Sequence, residues 1–157
     1  MSNLTAKQKE LIEKMGVFQE KAGMPPTESR IVALLLVSDK TELTFDEIRE
    51  ELNVSKSAVS NALNTLLLLN KIEYITKPGD RKRYFKSNLS NFQNNAEEGL
   101  LKMLKVSEIM KEIHEIRTSE TPDFNKDLAD VIDFIEYMQK ELVVIFEQWK
   151  SNRNEKN

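Results

Sequence analysis

Apolar residues recur at helical spacing along most of the chain, with one short interval in which the period falls to two. The spacing predicts a first helix from a Thr5 cap to about Lys21, with Leu11, Ile12, Met15 and Phe18 as its apolar side. Gly23 and Pro25-Pro26 stop it. Thr27 is placed to cap a short second helix, Glu28 to about Val37, in which Ile31, Val32, Leu34, Leu35 and Leu36 read as almost wholly buried. Thr44 and Glu47 stand at capping-box spacing and open a helix from Phe45 to Leu52, with Phe45, Ile48 and Leu52 inward. Asn53 can end that helix in a left-handed conformation, and Ser55 restarts the chain as a helix almost at once. Two short helices joined this tightly form a helix-turn-helix pattern.

After Asn70 the stretches KIEYIT and RYFKSN are rich in β-branched and aromatic residues, and KPGD between them suits a tight turn, which predicts a β-hairpin with a basic tip, a wing. From Ser90 the pattern is helical through about Arg117, although Gly99 costs about 1 kcal/mol relative to Ala. Thr118, Ser119 and Pro122 break it, with Thr121 as cap and Pro122 at the first position of a last helix. There Phe124, Leu128, Val131, Ile135, Met138, Leu142, Ile145 and Trp149 follow alternating steps of four and three, a heptad seam. Ile132, Phe134, Val143, Val144 and Phe146 extend the apolar surface beyond it. So much apolar area predicts a multi-helix interface in a homodimer; the other arrangement packs this helix on the chain's own Ser90 to Arg117 helix.

The helix after Ser55 carries Val59, Ala62, Leu63, Leu66 and Leu67 on one face and Ser57, Ser60, Asn61 and Asn64 on the other. Solvated helix faces ordinarily use Glu, Lys, Gln or Arg, because Ser and Asn compete for the backbone and weaken a helix. Short donors and acceptors without negative charge are, however, what a helix lying in the DNA major groove needs, and Asn can bond adenine at two points. Free N–H groups at the helix start, with Ser55 and Lys56 beside them, suit a phosphate.

Charge sharpens this reading. The chain of 157 residues has a net charge of −3, yet from Asn53 to Lys86 it carries Lys56, Lys71, Lys77, Arg81, Lys82, Arg83 and Lys86 against Glu73 and Asp80 alone. An acidic body thus bears one basic segment, and Arg81, Lys82 and Arg83 at the wing can reach phosphates or a narrow minor groove. A protein-interaction module that docks through its coiled-coil helix is the alternative, but it has no need of three consecutive basic residues.

Three stretches, PPTESRIVALLL, LTFDEIREELNVSKSAVSNALNTLLLLNKIEYI and PGDRKRYF, together resemble the MarR-type winged-helix regulators, and within them the GbsR-like group. One departure is Ser57, where the family pattern has a small residue, often glycine, after the Ser-Lys pair. The resemblance implies a mainly α fold with a small β-hairpin wing. Its parts would be an N-terminal dimerisation helix over 1–22, a winged helix-turn-helix DNA-binding domain over 23–88, a C-terminal helical dimerisation region over 89–150 and a flexible tail over 151–157. It implies a homodimeric, sequence-specific transcriptional regulator, a repressor on a near-palindromic operator in double-stranded DNA, modulated by a small molecule. By the same resemblance Asp80 orients a wing arginine, and Phe18, Phe134, Tyr137 and Trp149 are candidates for an aromatic cage around a quaternary ammonium, though aromatics at helical spacing also read as core.

Enzymatic readings find no support in the motifs: there is no Gly-rich phosphate loop, no nucleophile elbow, and no carboxylate at a telling distance from the single His114. With no cysteine, disulfides and thiolate chemistry are excluded, and no cofactor or metal is expected. No window approaches the run of about 20 apolar residues that a membrane span needs, and MSNLTAKQKE lacks the apolar core of a signal peptide, so a cytoplasmic location is expected.

Overall fold

The structure, a computed structural model, describes residues 4–154. Thr5 and Gln8 exchange side-chain and backbone bonds, and this capping box opens α1 (Ala6–Lys21) where the sequence places it. Ile12 is buried and Met15 half-buried, whereas Leu11 and Phe18 face solvent. Helix α2 (Pro26–Val37) begins two residues earlier than expected, and Thr27 does not cap it. Pro25, preceding a proline, is held extended (φ −61°, ψ 152°), and Pro26 takes the first helical position, where no N–H is required. Ile31, Ala33, Leu34 and Leu35 are buried, but Leu36 is exposed. The two helices cross at Gly16, where a Cβ would stand 3.2 Å from Arg30 Cγ. Arg30 lies across this gap and pairs with Glu13 at 2.9 Å and with Glu20.

A two-residue strand, β1 (Leu43–Thr44), follows, an element absent from the sequence reading. Thr44 also caps α3 (Phe45–Leu52): its hydroxyl accepts from the Glu47 N–H at 3.3 Å, and Glu47 Oε2 accepts from the Thr44 N–H at 2.8 Å. The Lys40 ammonium at 2.5 Å, together with the Thr44 N–H, lowers the Glu47 carboxyl from 4.5 to about 2. Since the folded value is the depressed one, the stability this carboxylate adds is present above pH 4.5 and is lost as the pH falls toward 2. Urea midpoints measured across that interval should fall less steeply for Glu47→Gln than for the native chain; equal slopes would contradict the assignment.

Asn53 is left-handed (φ 52°), with its N–H on Glu50 O and the Val54 N–H on Arg49 O. Ser55 then caps α4 (Lys56–Leu68) through the Ala58 N–H at 3.2 Å. The far end of α4 repeats the arrangement: Asn70 is also at φ 52°, and the Asn70 and Lys71 N–H groups reach Leu67 O and Leu66 O. The chain passes directly into β2 (Ile72–Thr76), which pairs antiparallel with β3 (Arg83–Ser87). Asp80 N–H closes on Lys77 O at 3.0 Å, with Pro78 second in the turn and Gly79 third at φ 80°, the positive φ a type II turn requires. β1 adds to the other edge of β3, giving the order β1-β3-β2. Ile12, Ile31, Leu34, Leu43, Ile48, Val59, Leu66, Ile72 and Phe85 form one core from all these elements.

The chain divides into two compact units, residues 1–92 and 93–157. The single helix expected from Ser90 to Arg117 is instead a 3₁₀ turn (Leu89–Asn91), α5 (Phe92–Leu104) and α6 (Val106–Ile116). The break falls at Lys105 rather than Gly99, between the buried Leu104 and Ser107. Lys105 N–H reaches Lys102 O, and Lys105 O accepts from Glu108, so the turn tightens locally to three-residue bonds.

Helix α7 (Pro122–Asn154) starts where expected but continues past residue 150, so 151–154 are helical rather than a flexible tail; residues 155–157 lie outside the described residues. Arg117 ties the α6–α7 turn, donating to Asn125 Oδ1 at 2.6 Å and Thr121 Oγ1 at 2.8 Å. Helix α7 packs along α6 and buries Ile132, and Lys150 pairs with Glu97 of α5 at 2.9 Å. Within this chain Leu128, Ile135, Met138 and Leu142 of the heptad seam are half-buried, and Phe124, Val131, Ile145 and Trp149 are exposed. Among the described residues no helix is long and apolar enough to cross a membrane.

Candidate nucleic-acid interface

Helix α4 is fixed by its inner face. Val59, Ala62, Leu63 and Leu66 are all buried, which leaves Ser57, Ser60, Asn61 and Asn64 in one exposed row. Among the described residues no hydrogen bond engages the side chains of Ser60, Asn61 or Asn64. Ser57 differs: its Oγ lies 3.1 Å from Ser55 Oγ, so it extends the cap at the helix start. The helix there is regular, with positive φ confined to Asn53 before it and Asn70 after it, so the departure from a glycine disturbs nothing. Lys56 is exposed on the first turn, beside the open N–H groups.

The wing distributes its cations unequally. Arg81, Lys82 and Arg83 are all exposed. Arg83 stacks its guanidinium 4.8 Å above the Tyr74 ring, while among the described residues Arg81 and Lys82 have no ion pair. Asp80 does not hold an arginine, as the resemblance led us to expect. Its Oδ2 accepts from the Tyr84 hydroxyl at 2.6 Å and its Oδ1 from the Lys82 N–H at 2.9 Å, and these two bonds hold its carboxyl below the usual range. Of the three wing aromatics only Phe85 is buried; Tyr74 is exposed and Tyr84 half-buried. The signal was present in the alternation of β3, since Phe85 pointing inward turns Tyr84 the other way. Lys77 sits 4.1 Å above the Tyr84 ring and pairs with Glu42 ahead of β1, a link that sequence reasoning missed because its partners are far apart in the chain.

Residues 22–83, which span α2, α3, α4 and the wing to the first residue of β3, match the family model described as the MarR family. Over that stretch the chain is similar to the winged-helix domain of the MarR family. A curated relative, the HTH-type transcriptional regulator MmpR5 of Mycobacterium tuberculosis, is 23% identical over 130 residues, 83% of this chain and 79% of that protein. A solved structure described as the crystal structure of a transcriptional regulator superposes with a TM-score of 0.71 at 21% identity, covering 92% of this chain and 99% of the other. The fold is therefore the expected one, mainly helical with a small antiparallel sheet, and the likeness supports a transcriptional regulator of the MarR type. MarR-family regulators bind DNA and are not enzymes. His114 fits that role, half-buried on α6 beside Ala129, Ile132 and Asp133 of α7.

Proposed function

We propose that the chain acts as a homodimer that reads a near-palindromic operator, with Ser60, Asn61 and Asn64 at base edges in the major groove and Ser55, Lys56, Ser57, Arg81, Lys82 and Arg83 on the phosphate backbone. One observation carries this reading: the exposed, unengaged row of short polar side chains on α4, a poor choice for a solvated helix and a good one for a groove. Asp46 and Glu47 lie in the first turn of α3 and serve its dipole, leaving that helix as a buttress through the buried Ile48. A two-fold dimer would present its two α4 helices about 34 Å apart, one turn of the duplex. The dimer contact falls to the α7 seam from Phe124 to Trp149, which α6 leaves partly open. The reading extends to a cytoplasmic repressor of GbsR-like character released by a small molecule, a quaternary ammonium compound being the first to test against the exposed Phe134 and Tyr137.

The division of labour is measurable. Asn61→Ala should cost about 1–3 kcal/mol on the selected operator and much less on random DNA. Arg81→Ala should weaken binding to both and flatten the salt dependence by about one unit of log–log slope. Affinities on the two DNAs across a salt series separate these classes. If Asn61→Ala and Ser60→Ala leave the ratio of operator to random affinity unchanged, α4 does not read sequence and the protein-interaction alternative takes its place.

A further inference from the structure

We propose that the Tyr84 hydroxyl is a positioning group for DNA binding, acting through Asp80 to fix the wing tip so that Arg81 and Lys82 are presented in one arrangement. The inference rests on the DNA-binding reading above and adds to it a residue that touches no DNA. Four cations surround the tip, and two are already engaged: Lys77 by Glu42 and the Tyr84 ring, and Arg83 by the Tyr74 ring. Arg81 and Lys82 are the remaining pair, and both stand on a short irregular segment between the turn and β3.

That segment is held from both sides by a single residue, through its backbone and its carboxylate. Asp80 donates its own N–H to Lys77 O at 3.0 Å, and its Oδ1 accepts the Lys82 N–H at 2.9 Å, so the backbone is pinned immediately before and after Arg81. The carboxylate is in turn fixed by the Tyr84 hydroxyl at 2.6 Å. Tyr84 is registered against Ile75 on one side and Thr44 on the other, so the central strand of the sheet sets where that hydroxyl lies. A tip ordered before binding loses less conformational freedom when it meets a ligand. This also accounts for an anion in a wing that would otherwise repel a phosphate backbone.

The test exploits opposite signs. Affinity for a short duplex of random sequence would be measured by fluorescence anisotropy for the native chain, Tyr84→Phe, Asp80→Ala, Asp80→Asn and Arg81→Ala over a salt series, with thermal midpoints and amide exchange of the free proteins. If Asp80 were only a negative charge near DNA, Asp80→Ala would bind more tightly and Tyr84→Phe would not change. As a positioning pair, Tyr84→Phe and Asp80→Ala should both weaken binding about five- to tenfold, the scale of one lost hydrogen bond. Asp80→Asn, which keeps an acceptor for the Lys82 N–H, should recover most of the loss.

Tyr84→Phe retains the ring beneath Lys77, so its midpoint should stay near native while the Lys82 amide exchanges faster. Its salt slope should remain native, unlike that of Arg81→Ala, because the same phosphates are still contacted. Weakening by Arg81→Ala with no effect of Tyr84→Phe overturns the positioning role and leaves DNA binding intact. Insensitivity of binding to Arg81→Ala overturns the wing contact and the positioning role with it.

Discussion

A chain carrying Ile135→Asp and Leu142→Asp together should sediment as a monomer at concentrations where the native chain is a dimer, and should lose most of its affinity for a full operator. Both residues lie on the α7 seam and are already half-buried by the chain itself, flanked by the exposed Val131, Ile145 and Trp149. Docking a second copy there would complete their burial. An uncompensated buried charge costs about 3–5 kcal/mol, and each 1.4 kcal/mol is tenfold in a dissociation constant, so even one carboxylate weakens a micromolar dimer by more than about a hundredfold. Circular dichroism separates the outcomes, since a monomer that keeps its helices differs from an unfolded chain. A native chain that sediments as a compact monomer at micromolar concentration would refute the dimer outright.

Leu66→Ala should cost about 2–5 kcal/mol, against the 5–15 kcal/mol that holds an ordinary domain together. Leu66 is fully buried at 0% exposure on the inner face of α4, while Leu68, two residues on, is 83% exposed. The same substitution at Leu68 should stay within about 0.5 kcal/mol of native. Urea midpoints of the two variants compare one chemical change in two environments. The difference bears on function because Leu66 is among the residues that seat α4 and so set the direction of its polar row. Equal midpoints would mean that α4 is not anchored by its apolar stripe.

Where local chemistry decides the structure, the sequence was readable. The Thr44–Glu47 capping box, the Asn53 left-handed stop, the Ser55 cap and the Pro-Gly turn of the wing each involve residues within a few positions of one another, and all stand where the sequence puts them. The exposed row on α4 was legible for the same reason, since a helix with a buried stripe has only one other face to show. What escaped is set by distant partners. β1 consists of two residues and exists because Leu43 and Thr44 pair with Phe85 and Tyr84, some forty positions on. No glycine or proline marks the break at Lys105; it lies between two residues that tertiary packing buries. At the start of α2 Thr27 is the better capping residue by type, but Pro25, preceding a proline, is driven out of the helical region regardless. For Asp80 the family resemblance points to an arginine, whereas strand geometry brings Tyr84 within reach instead.

The crossing at Gly16 has a mechanical meaning. With Arg30 seated astride it and holding Glu13 and Glu20 together, α1 cannot pivot on its connection at Gly23 without breaking charged contacts on both sides and unseating Ile12 from the core. The joint has the form of a hinge but is bolted shut. A torque applied to α1 is therefore borne by α2 and the shared core, on which the inner face of α4 and so the row of Ser60, Asn61 and Asn64 is seated, rather than by the bend.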